Sequence, residues 1–317
     1  MKQKGRNTAA SVQARLLQLS RNSKLSLQDL LERYGIERLL YRLSRSPHQS
    51  RFVLKGAMLL IVWGEGSSER VTRDADLLGF GDNSPTAAAA AFRDICAVAV
   101  DDDGVQFEVE TIQAESIRAE QEYVGVRVTL RARVGNARIP VQADIGFGDA
   151  FTLEPEEIEF PTLLDMPRPI LRAYTKETAL AAKFEAMAAL GERNSRMKDY
   201  FDVWLLSQRF DFQGERLVQA IAATFARRNT AIPPTVPVGL STGFSTEPIK
   251  QTQWKAFWRK VVRTEPTPDF EEVVQLAGRF LLPAAEAARL GSSSPGHWPK
   301  GGPWNGSETV GSTGFHG

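Results

Sequence analysis

The sequence predicts an α+β protein in which a mixed β-sheet flanked by helices is followed by a C-terminal helical bundle. Three observations carry this. Alternating apolar and polar residues dominate from about 105 to 148, helical periodicity dominates after about 170, and a helical lead-in precedes both. A chain of 317 residues, 42% of them hydrophobic, is long enough to bury more than one core. The expected organisation is a basic helical segment over 1–50, a sheet domain over 51–165, a helical domain over 166–290 and a disordered tail over 291–317.

In chain order, residues 8–46 read as two or three helices. Within them Ser26 is a cap, with Asp29 three residues on, and Leu27, Leu30, Leu31 and Tyr34 repeat at helical spacing. FVL at 52–54 is a short strand, and Gly56 turns it into a buried helix, AMLLIVW. A second strand follows in RVTRDADLLGFG, residues 70–81. SPTAAAAAFRDICAVAV is a helix with Ser84 as cap and Pro85 at its first position. VQFEVETI, YVGVRVTLRARV and RIPVQADIGFG return to strand alternation. TKETALAAKFEAMAAL, RMKDYFDVWLLSQ, GERLVQAIAATFARR, a segment around Trp254–Val262 and DFEEVVQLAGRFLLPAAEAARL are helical, with a loop over 229–248. The last stretch is rich in Gly and Ser and poor in aliphatics, hence the expectation of disorder. Its His297 and His316 are weak candidates for metal ligands.

Composition excludes several functions. Cys96 is the single cysteine, so no intrachain disulfide or cysteine metal cage can form, and packing is its expected role. No run approaches the roughly 20 apolar residues of a membrane span, and the N-terminus has no apolar signal core. A cytoplasmic protein without membrane contact is expected. Residues 1–55 hold 12 Lys/Arg against 3 Asp/Glu, which reads either as a surface for a polyanion or acidic partner or as a solvated helical face.

The chemistry resides in carboxylates and lysines. A chain with 15 aspartates yields on the order of one D-x-D by chance. Here there are two: Asp101 and Asp103 lie in an acidic turn, whereas Asp74 and Asp76 lie in a strand-like segment. Residues two apart on a strand share a face, roughly 7 Å apart, so one divalent cation can bridge them. In VQADIGFGD, Asp144 projects opposite to Val141, Ala143 and Ile145. Read alone, it is either an acid on a solvated strand face or a third hard oxygen ligand of the kind Mg²⁺ takes, the ion's other ligands being water and phosphate. Lys55 stands before Gly56 at a strand-to-helix turn, a place for phosphate or simply for a solvated lysine. Lys183 interrupts an apolar stripe between Leu180 and Met187, so it snorkels to water or meets an anion. Asp199 and Asp202 share one helical face beside Arg196 and Lys198, as ion pairs or as a base and an orienting group for an acceptor.

Taken in order, LKGAMLL, RVTRDADLL, VQADIGF, ALAAKFEAM and RMKDYFDVWLL resemble the AbiEii/AbiGii nucleotidyltransferase toxin family of the DNA polymerase β-like superfamily, over about residues 50–210. The resemblance implies a nucleotidyltransferase-like sheet in which Asp74 and Asp76 are the metal-binding pair and Asp144 the third catalytic carboxylate. It implies further that Lys55 and Gly56 form the phosphate-binding turn, that Arg73 and Lys183 contact the nucleotide, and that Asp199 and Asp202 are the closing acidic motif. The implied reaction is Mg²⁺-dependent transfer of a nucleoside monophosphate from an NTP to an acceptor hydroxyl, on RNA such as the tRNA 3′ end or on protein. Growth arrest or phage defence is the implied outcome, with a cognate antitoxin encoded by a neighbouring gene. The turn departs from the family's usual Gly-Gly or Gly-Ser, since Ala57 and Met58 follow Gly56. A catalytically degenerate binding module and a metal-dependent nuclease are the alternatives.

Overall fold

The computed structural model describes residues 8–23, 25–66, 72–118, 124–148, 153–262 and 266–306. The chain divides into two compact units: the first comprises 1–148 and 155–174, the second 149–154 and 175–317. The described helical part of 1–50 falls in the unit that carries the sheet.

The first unit is built on a seven-stranded mixed sheet. Its strands are β1 (Phe52–Lys55), β2 (Ala75–Gly79), β3 (Val105–Arg118), β4 (Val124–Val134), β5 (Ala137–Phe147), β6 (Glu156–Glu159) and β7 (Ile170–Ala173), in the order β3-β4-β5-β2-β1-β7-β6. β2 runs parallel to β5 and β1 parallel to β7, and the other pairings are antiparallel. Alternation fixes which face is apolar. Val126, Val128, Leu130 and Ala132 lie opposite Ile145, Ala143, Val141 and Ile139, all buried. Helices α1 (Thr8–Asn22), α2 (Leu27–Ser44) and α4 (Pro85–Cys96) supplement this unit, with the short α3 (Met58–Trp63) after β1. α2 covers the apolar face so closely that a Cβ on its Gly35 would lie 3.2 Å from Ile139 Cγ2. From α4, Phe92 meets Phe52 edge-on, 6.1 Å between centroids.

The caps follow the sequence. Ser26 and Asp29 form a reciprocal capping box on α2, and Ser84 accepts from the Ala87 amide with Pro85 behind it. The acidic stretch that holds Asp101 and Asp103 forms a turn: Asp102 accepts from Gly104 N–H and Asp103 from Val105 N–H. Asp103 also takes a two-pronged contact from the buried Arg42, at 2.7 and 3.2 Å. Two of the 12 basic residues over 1–55, Arg38 and Arg42, are therefore internal. Arg38 is fully buried between the rings of Tyr34 and Tyr41, and Arg33 pairs with the buried Glu37.

The second unit is helical: α5 (Lys176–Leu190), α6 (Met197–Arg209), α7 (Gly214–Arg227), α8 (Thr242–Thr246), α9 (Pro248–Phe257) and α10 (Phe270–Leu290). α8 falls inside the expected loop, capped by Ser241, and α9 continues as a π-turn over Trp258–Val262. Aromatic rings fill the core, with Tyr200 against Phe244 and Phe270, and Trp254 against Phe270 and Trp258. The expectation of disorder after 290 is corrected over 291–306. There β9 (His297–Trp298) pairs with β8 (Phe212–Gln213), Trp298 is buried, and Trp298 and Trp304 pack on Phe280 at 4.8 and 5.7 Å. Their indole N–H groups donate to Ser207 and Phe280 carbonyls. Two tryptophans supply the burial that a count of aliphatics misses. His297 lies 3.8 Å from Asp211, and residues 307–317, with His316, fall outside the described residues.

Candidate functional site

The face of the sheet opposite α2 carries a row of charges set by register. Lys55 of β1 lies opposite Asp76 of β2, Asp76 opposite Asp144 of β5, Asp144 opposite Arg127 of β4, and Arg127 opposite Glu115 of β3. Side chains of directly opposed residues project to the same face, about 4.5–5.5 Å apart. Asp74, two residues before Asp76, joins them from the entry to β2. Ligand oxygens of Asp74, Asp76 and Asp144 all lie within 4.8 Å of one another, and all three residues are half-buried.

Like charges opposite each other in a sheet repel, so the cluster requires compensation. Arg127 supplies part of it: Nε donates to Asp144 Oδ1 and Nη2 to Oδ2, both at 2.8 Å. The hydrogen bond to Asp144 raises the Arg127 pKa above its ordinary value, with smaller contributions from the charges of Asp144 and Asp74. Gln142 Nε2 also donates to Asp144 Oδ1, at 3.2 Å, and Thr72 Oγ1 to Asp74 Oδ1, at 3.2 Å. Lys55 reaches across β2 toward β5, where its Nζ lies 2.7 Å from the position a Cβ on Gly146 would take. A side chain at 146 would require the ammonium to shift from this position.

The turn after β1 is equally constrained. Gly56 has φ +71°, and a Cβ there would stand 2.6 Å from both Cβ and Cγ of Asp76, with Oδ2 closer still. Glycine is needed here for backbone conformation and for the close seat of Asp76. Ala57 is buried, in helical conformation, at the head of α3.

Arg73 is not gathered with these groups. It pairs with Asp29 at 2.8 Å and Glu32 at 3.3 Å, both on α2, and the hydrogen bond to Asp29 raises its pKa. Asp29 is lowered in turn: burial acts upward, and the bonds from Ser26 and Arg73 outweigh it.

In the second unit, Lys183 of α5 resolves into one of its two expected states. Its Nζ meets two carboxylates of α6, Asp199 at 2.9 Å and Asp202 at 2.7 Å. The anion in the apolar stripe is the protein's own. Asp199 and Asp202 share a helical face as expected, with Lys183 their common cation.

Arg127 is the site residue that reading the sequence passed over. The alternation in YVGVRVTLRARV places it on the solvent-side face, but only the β4–β5 register sets it against Asp144.

The acidic cluster thus lies on a seven-stranded mixed sheet accompanied by helices. Residues 38–276 match the family described as nucleotidyl transferase AbiEii toxin of type IV toxin–antitoxin systems, and the chain belongs to that family. Among solved structures it is similar to a protein of H. pylori assigned as a nucleotidyltransferase, with 16% identity and a TM-score of 0.45, over 84% of this chain and 97% of that one. It is similar also to JHP933 from Helicobacter pylori, with 15% identity and a TM-score of 0.46, over 84% and 94% of the two chains. No curated protein matches. Among the described residues, no helix is long and apolar enough to cross a membrane.

Proposed function

We propose that the chain transfers a nucleoside monophosphate from an NTP to an acceptor hydroxyl, using Mg²⁺ held by Asp74, Asp76 and Asp144. The observation that carries this is the β2–β5 register, which sets Asp144 directly opposite Asp76 and leaves three carboxylates within 4.8 Å. The donor set fits a hard cation, since it offers several oxygens on rigid strands with a lysine alongside for phosphate. Mg²⁺ bound there supplies electrostatic stabilisation of charge building on the phosphoryl oxygens. The acceptor oxygen bonds to the α-phosphorus while the bond to the bridging oxygen breaks; pyrophosphate leaves, and the acceptor's proton passes to a carboxylate.

Lys55 and the turn at Gly56 hold the phosphates in this reading, and Lys183, Asp199 and Asp202 serve nucleotide and acceptor as the family resemblance implies. Arg73 contributes by holding the approach to Asp74 onto α2. The acceptor proposed first is RNA, with the tRNA 3′ end as the case the resemblance implies for some members; the basic N-terminal surplus favours it less now that Arg38 and Arg42 are internal. The reaction takes place in the cytoplasm, arrests growth or blocks phage, and is restrained by an antitoxin encoded next door. The test is transfer from an α-labelled NTP to RNA or protein. Asp74→Asn should abolish label transfer while keeping the thermal transition; transfer at the wild-type level refutes the assignment, and shortened rather than extended RNA identifies a nuclease instead.

A further inference from the structure

We propose that Arg127 is a built-in counter-ion of the carboxylate cluster that has to leave Asp144 before a metal can use that residue as a full ligand, so that metal affinity stays low until nucleotide arrives. The inference rests on the metal reading given above. A carboxylate offers about four lone-pair positions. On Asp144 three hydrogen bonds engage them: Arg127 Nε and Gln142 Nε2 at Oδ1, and Arg127 Nη2 at Oδ2. One position is left, and a divalent ion taking it would sit beside a guanidinium at contact distance. In that arrangement the two cations compete for a single anion.

The position of Arg127 suits exchange. Its side chain is 37% exposed while that of Asp144 is 18% exposed, so the guanidinium is the partner able to swing outward on its long stem. Its planar fork binds phosphate oxygens as well as carboxylate oxygens. A triphosphate beside the carboxylates therefore offers Arg127 a substitute anion, freeing Asp144 as the metal enters. Lys55, opposite Asp76 on the other side of the carboxylates from Arg127, is the second cation flanking the same face. Metal and nucleotide then favour each other's binding, because each removes what opposes the other.

The test is Mn²⁺ binding to the full chain, followed by electron paramagnetic resonance, with and without a non-hydrolysable NTP analogue. Arg127→Met keeps the stem and removes the charge. Without nucleotide it should bind Mn²⁺ about tenfold more tightly than wild type, the scale of one like charge removed from a partly solvated site. With the analogue present the difference should vanish or reverse. Arg127→Lys, which retains charge but loses the fork, guards against misfolding of the first variant and should fall between the two. Unchanged or weaker Mn²⁺ binding by both variants, still abolished by Asp74→Asn, overturns the role of Arg127 and leaves the metal site standing. Absence of Mn²⁺ binding in wild type and variants alike, with native thermal transitions, overturns the metal reading and this inference with it.

Discussion

Substituting Gly56 by alanine tests whether the turn after β1 exists to seat Asp76. Two costs are separable. The first is conformational, because a residue with a Cβ at φ +71° pays about 1–2 kcal/mol for left-handed backbone. The second is steric, because the new methyl would stand 2.6 Å from Cβ and Cγ of Asp76, so the carboxylate has to move. Gly81 provides the control, since it has φ +86° and a methyl group added there would meet nothing within 4 Å. Gly81→Ala should lower the melting temperature by roughly 2–8 °C, the conformational cost spread over a domain of this size, with full transfer activity. Gly56→Ala should lower it further and reduce label transfer about 100-fold, the scale of loss for a catalytic group misplaced by about 1 Å. Equal melting temperatures for the two variants, or wild-type transfer by Gly56→Ala, would refute the reasoning.

Three further outcomes follow from the geometry. Lys183→Met removes the cation shared by Asp199 and Asp202 and should destabilise by about 3 kcal/mol, with partial recovery when Asp202→Asn is added, as read by thermal denaturation. Trp298→Ala removes a buried indole and should cost about 3–5 kcal/mol in the same measurement, whereas a tail that contributed nothing would leave the transition in place. Burial pushes the Cys96 thiol up to about 12, so at pH 8 it is protonated, and its thiolate forms only as pH rises toward that value. Alkylation of the native chain at pH 8 should be slower than in urea on the order of a thousandfold, as mass spectrometry of quenched samples will show.

The side of the strand taken by Asp76 and Asp144 is a local property of a period of 2, and reading the sequence recovers it, whereas Asp74, expected within the same strand, stands just before β2 and still lies beside the other two. What parity cannot provide is register. That Asp144 lies opposite Asp76 depends on a parallel pairing of two non-consecutive strands, β2 and β5, and that Arg127 lies opposite Asp144 depends on the register of the β4–β5 hairpin. Counting arginines near the N-terminus likewise does not reveal that Arg38 lies between two tyrosines and Arg42 on Asp103. Capping at Ser26 and Ser84 is legible because donor and acceptor lie three residues apart. The strands β6 and β7 are four residues each, too short to show a period.

The contact of Arg73 with Asp29 and Glu32 bears on where the functional piece of this chain begins. The family match starts at residue 38, yet the residue immediately before Asp74 is anchored to two acids at 29 and 32, one of which also caps α2. A protein trimmed to the matched span would keep all three clustered aspartates and lose the anchor beside the first of them. At the other end it would lose Phe280 together with the tryptophans at 298 and 304 that pack on it. Shared sequence marks what relatives have in common, and a piece cut at its limits lacks contacts at both ends that this chain makes.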